Sequence, residues 1–127
     1  MAILNDKYDK KTVEVVKSLS LSMQLTIFAL YYSITSETET TDIRNFKKHL
    51  EECKKSLGMM SDFDLEEILE SLSNYNLVKI DKKSTKQLYG KYNIISSYKK
   101  DELGTILFQI DRFKDYINIG EPEKNLN

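Results

Sequence analysis

The amino-acid sequence predicts a mainly α-helical domain carrying one small β-hairpin, and three observations lead there. Breakers are scarce: in 127 residues Pro occurs once, at Pro122, and Gly only at 58, 90, 104 and 120, so long stretches are free to be helical. Ile43, Phe46, Leu50, Cys53 and Leu57 follow one another at three or four residues, the period of a helix with one buried face. Val78 and Ile80 alternate with Lys79, and after a polar, lysine-rich stretch Tyr92, Ile94 and Ile95 return. That is the pattern of a two-stranded ribbon.

Taken in order, residues 1–11 are polar and read as a flexible arm or a frayed helix start. Val13, Val15, Val16 and Leu19 then suit a short helix pressed on one side. Ser20 and Ser22 offer caps, because a serine oxygen accepts from the free amides of a first turn. Leu21, Leu25, Phe28, Ala29 and Tyr32 form the next stripe, widened by Met23, Ile27, Leu30, Tyr31 and Ile34. A helix apolar nearly all round is a central one. Residues 36–40 read as a polar loop.

Thr41 is the expected cap of the following helix, with Asp42 favoured at its positive end. The outer face of that helix carries Arg44, Lys47, Lys48, Glu51, Glu52, Lys54 and Lys55, and Gly58 stands where a left-handed cap is wanted. Ser61 is the expected cap of a third helix, 61–75, which Asp62 and Asp64 favour and whose buried stripe is Leu65, Ile68, Leu69 and Leu72. Strands over 77–80 and 92–95 flank a hairpin tip. A last helix is expected over 101–119, with Leu103, Ile106, Leu107, Ile110, Phe113 and Ile117 on one side, followed by a disordered tail over 120–127. Two helices joined by a Gly-containing turn are a helix-turn-helix. With the ribbon behind them, the whole of 12–119 reads as a winged helix-turn-helix plus a C-terminal helix.

Composition narrows the function. Forty per cent hydrophobic residues fill one core, and one cysteine excludes an internal disulfide framework. No signal peptide is visible, and the run 25–34 is too short to span a bilayer, so an intracellular location is expected. His49 sits at the edge of an apolar stripe and reads as structural. Cys53 lies within the stripe and reads as a small hydrophobe. The two lie four apart, but no second Cys or His completes a tetrahedral metal site. Glu66 and Glu70 also lie four apart and read as a solvated face. No catalytic residue, metal, cofactor or small-molecule substrate is therefore expected, nor a membrane partner.

Charge divides sharply by segment. From Lys79 to Lys100 there are seven lysines against Asp81 alone, a net +6. Such a hairpin suits a phosphate backbone, where each neutralised phosphate releases counterions. Lys82, Lys83, Lys86, Tyr89 and Lys91 are the expected DNA contacts, with Arg44, Lys47 and Lys48 adding a second basic face. The helix that would enter the major groove points the other way: 61–75 holds five acids and no Lys or Arg. Five carboxylates near phosphates oppose binding, so Glu66, Glu67 and Glu70 suit a basic protein surface instead. The tyrosines make no ordered stacking platform for single strands.

The run Val13-Glu-Val-Val-Lys-Ser-Leu-Ser-Leu21, leading into a long apolar helix, resembles the C-terminal winged-helix domain of the origin-recognition and cell-division-cycle family of AAA+ replication initiators, archaeal and eukaryotic. The resemblance continues through Ile43, Phe46 and Cys53 to Gly58, and over 65–78. There Asn76 stands where members carry a glycine, and Asn also tolerates left-handed geometry. Tyr89-Gly90-Lys91 resembles the wing turn and Lys100-Asp101-Glu102-Leu103 the start of the final helix. The resemblance implies an origin-binding or helicase-loading module, with duplex DNA, other initiator subunits or the replicative helicase as partners, nuclear in a eukaryote and cytoplasmic or nucleoid-associated in an archaeon. Family members carry an ATPase core before this domain. No glycine-rich phosphate loop occurs here, so either a C-terminal fragment or a small protein sharing only the winged helix is implied. A free-standing winged-helix transcriptional regulator, dimeric through terminal helices, also fits.

Overall fold

The computed structural model describes residues 10–59, 62–82 and 92–117. Among them the chain runs α1 (Lys10–Ser18), α2 (Leu21–Ser33), β1 (Thr40–Asp42), α3 (Ile43–Ser56), α4 (Leu65–Asn74), β2 (Val78–Asp81), β3 (Asn93–Ser96), α5 (Lys100–Phe108) and α6 (Asp111–Lys114). The fold is mainly helical, with a small antiparallel sheet of order β1-β3-β2. Of the arm expected over 1–11, Lys10 and Lys11 open α1. Residues 1–9 and the tail 120–127 lie outside the described residues.

The central helix is α2. Ser20 caps it, its Oγ accepting from the Met23 amide at 3.3 Å, and everything from Gln24 to Leu30 is buried. It packs against α3, α4 and α5. The polar side chains buried with it are satisfied locally. Thr26 and Ser33 donate to the Ser22 and Ala29 carbonyls at 2.8 and 2.7 Å, a pattern that hydroxyls adopt inside helices. Gln24 donates to the Val16 carbonyl at 2.9 Å and accepts from Arg112 Nη1 at 3.1 Å, tying α1 and α6 to α2.

The segment read as a loop ends in a strand. Thr40, Thr41 and Asp42 pair with Ile95, Ile94 and Asn93, and the Ser96 amide donates to the Glu39 carbonyl at 2.8 Å. Nothing local drives this, since the strand is polar; its partner β3 supplies the hydrogen bonds. The helix cap accordingly falls one residue later than expected. Asp42 Oδ1 accepts from the Asn45 amide at 2.8 Å, while Thr41 is buried and its Oγ1 accepts from Asn45 Nδ2 at 3.0 Å.

α4 also starts late. Its cap is Asp64, whose Oδ1 accepts from the Glu67 amide at 3.2 Å; Ser61, the expected cap, lies outside the described residues. The connection from α3 therefore runs from 57 to 64 and is longer than the tight turn expected. Both helices end alike. After α3 the amides of Met59 and Gly58 donate to the Lys54 and Lys55 carbonyls at 2.8 and 3.1 Å. After α4 those of Leu77 and Asn76 donate to the Leu72 and Ser73 carbonyls at 3.0 and 2.9 Å. This paired closure requires a left-handed residue, and Gly58 and Asn76 supply it at φ 70 and 63.

The helix expected over 101–119 is broken. α5 stops at Phe108, Ile110 is extended, and α6 follows. An unbroken helix would separate residues 104 and 117 by about 20 Å. Here a Cβ at Gly104 would lie 3.4 Å from Ile117 Cγ2 and 3.0 Å from Tyr31 Cε1. The chain has turned back, so that Phe113 stacks on Phe28 with ring centroids 4.6 Å apart and Ile117 is buried. The apolar stripe is preserved; the straight axis is given up to wrap it over α2.

Candidate nucleic-acid interface

The hairpin is positioned by the row Thr41–Ile94–Ile80, which turns inward across the sheet, and the row Thr40–Ile95–Lys79, which turns outward. Ile94 is fully buried and Lys79 exposed. β2 is an edge strand, and a lysine on an edge discourages pairing with another chain. Lys82 follows β2, exposed, with Nζ 5.6 Å from the centroid of the Tyr92 ring. Of the other expected contacts on the hairpin, Lys83, Lys86, Tyr89 and Lys91 lie outside the described residues.

Arg44, Lys47 and Lys48 are exposed on α3, three and four residues apart and so on one face. The first turn of α3 meets the base of the hairpin, because the Ile43 amide donates to the Tyr92 carbonyl at 2.9 Å. Arg44, the next residue, thus begins a basic strip beside the hairpin. Lys54 does not extend it. Expected on the outer face, it is 7% exposed, its Nζ 3.5 Å from Asp62 Oδ1, 3.6 Å from Glu51 Oε2 and 5.4 Å from the Phe63 ring centroid. Its stem lies along apolar surface while the ammonium reaches the edge, and the turn from α3 to α4 folds over it.

At the end of the basic segment Lys100 is likewise engaged in the fold, while the Lys99 side chain is exposed. Lys100 Nζ donates to the Ile34 carbonyl at 3.2 Å and lies 4.8 Å from the Tyr31 ring centroid. Burial lowers its pKa. The Lys99 amide donates to the buried Glu102 carboxylate at 2.8 Å, closing the first turn of α5.

On α4, Glu66, Glu67 and Glu70 are all exposed. Their spacing of three and four puts them on one face, and of the three Glu66 and Glu70 stand beside the hairpin root. Those two line a groove of about 330 Å³ completed by Ile80, Lys82 and Tyr92. Burial, and then the charge of Glu66, push the Tyr92 phenol above its ordinary value, so the hydroxyl keeps its proton. Alternation with Ile94 was the sequence signal that Tyr92 points inward; nothing in the sequence showed that α4 brings two carboxylates to it.

His49 is half-buried with Nδ1 3.6 Å from Glu52 Oε1. Cys53 is buried, and desolvation followed by the charge of Glu52 pushes its thiol up to about 12, which suppresses the thiolate that reacts. Among the described residues no group of three or more His, Cys, Asp or Glu is placed to hold a metal ion. No described helix is long and apolar enough to cross a membrane. No family model matches the chain, and no curated protein matches it.

Proposed function

We propose that this chain is a winged-helix module of the replication-initiator type that contacts duplex DNA mainly through its lysine-rich hairpin. The observation that carries the reading is a lysine-rich connection between β2 and β3, in a sheet that packs against α3 and α4. Lys79 and Lys82 are exposed at the root of that connection, and the segment from Lys79 to Lys100 has a net charge of +6. The order α2, β1, α3, α4, β2, β3, with β1 on the far side of β3, supports the winged-helix reading. So does the left-handed Asn76, at the position where the family resembled carries glycine.

The hairpin lies along a phosphate backbone, and Arg44, Lys47 and Lys48 hold a second stretch of it. α4 stays out of the groove, since its carboxylates repel phosphate. Fluorescence anisotropy with a labelled duplex at low salt tests this. The native chain retains the duplex, and Arg44→Glu with Lys47→Glu and Lys48→Glu binds it more weakly. No retention of any duplex at low salt would refute the reading.

A second reading, docking of a basic protein partner on α4, is favoured by the three exposed glutamates with no Lys or Arg on that helix. A dimeric regulator joined through a long terminal helix draws less support, because Phe113 and Ile117 are spent inside the fold.

A further inference from the structure

We propose that the groove between α4 and the root of the hairpin is a receptor for one arginine side chain of a basic partner segment. The inference rests on the reading of α4 as a protein-docking face and names the chemistry of what docks. Three observations converge on it. Glu66 and Glu70 stand one turn apart on the groove side of α4, and neither carboxylate forms an ion pair among the described residues. Tyr92 is 9% exposed, lines the same groove, and its hydroxyl has no hydrogen-bond partner among the described residues. Ile80 adds an apolar wall.

An arginine satisfies all of these together. Its planar guanidinium presents paired N–H groups to the two carboxylates. Its stem packs against Ile80, and a further N–H reaches the Tyr92 hydroxyl, which acts as acceptor. Glu66 and Glu70 leave the lining net negative despite Lys82, so phosphate is excluded and a single cation is accepted. Of the groove lining, Lys82 alone is also an expected DNA contact.

The test is a two-dimensional NMR titration of the intact chain at fixed low ionic strength with acetyl-Gly-Arg-Gly-Arg-Gly-amide. The same peptide with citrulline or lysine at both arginine positions gives the comparison. Saturable shifts are expected at the amides of Glu66, Glu70, Ile80, Lys82 and Tyr92. Glu66→Gln and Glu70→Gln should each weaken binding about tenfold, as should citrulline, with Tyr92→Phe losing about threefold. Both carboxylates are exposed, so thermal melting of their variants should match the native chain. Glu67→Gln should change affinity by less than about twofold. Equal loss for Glu67→Gln would overturn the groove while leaving α4 as an acidic docking face. Lysine peptide binding as tightly as arginine peptide would overturn the specificity proposed. Absence of saturable shifts would overturn both the groove and the docking face it rests on.

Discussion

Lys54 Nζ and Asp62 Oδ1 lie 3.5 Å apart across the connection from α3 to α4. The pair is lopsided: the lysine side chain is 9% exposed and the aspartate fully exposed. Most of what Lys54 contributes is therefore packing of its stem beneath Phe63 and the turn, and little of it is the ion pair. Lys54→Met should keep most of the stability, Lys54→Ala should lose about 1–2 kcal/mol, and Asp62→Asn should melt with the native protein. Urea denaturation of the three variants checks the ranking. An Asp62→Asn loss as large as that of Lys54→Ala would show that the charge pair is the main contribution.

Asn76 sets where the hairpin starts. Its left-handed conformation closes α4 and sends Leu77, buried, into the sheet, which fixes Lys79 outward and Ile80 inward. Asn76→Gly should be within about 0.5–1 kcal/mol of the native protein, because glycine reaches this conformation without a Cβ clash and loses more chain entropy. Asn76→Val should cost at least about 1–2 kcal/mol. Thermal unfolding of both variants, with the sheet amides followed by hydrogen exchange, provides the measurement.

Cys53 makes a pH prediction. Its thiol moves from 9.0 to about 12 on folding. Below the lower value both states hold the proton and the contribution to stability is fully present. As pH rises above it the unfolded chain releases the proton first, so stability is lost progressively until the folded thiol also ionises. Urea midpoints for the native chain and Cys53→Ala between about pH 8 and pH 10.5 should show the native protein falling more steeply. Parallel slopes would contradict the burial of the thiol. Alkylation of Cys53 at neutral pH should likewise wait for unfolding.

What the sequence made legible is what local patterns control. The stripe from Ile43 to Cys53 is buried as its spacing requires, Ser20 caps α2, and Gly58 and Asn76 adopt the left-handed turns expected of them. What it concealed depends on contacts distant in the chain. β1 is three polar residues that become a strand only against β3. The break at Ile110 has no Gly or Pro to announce it and follows from the fit of Phe113 on Phe28. Lys54 looked solvated because Asp62 and Phe63, which cover it, lie on the next segment. For the candidate site, the exposure of Arg44, Lys47, Lys48, Glu66, Glu67 and Glu70 followed from helical period alone. The division of the glutamates into a groove pair and an outlier needed Tyr92 beside α4.

The proposed hairpin contact is tested most directly by the salt dependence of duplex binding. Lys82→Glu, Lys83→Glu and Lys86→Glu should be combined and compared with the native chain across a salt series. If these lysines each neutralise a phosphate, the triple variant should bind far more weakly, and the slope of log K against log salt should flatten by up to about 3. Unchanged affinity and an unchanged slope would contradict a hairpin-first contact with DNA.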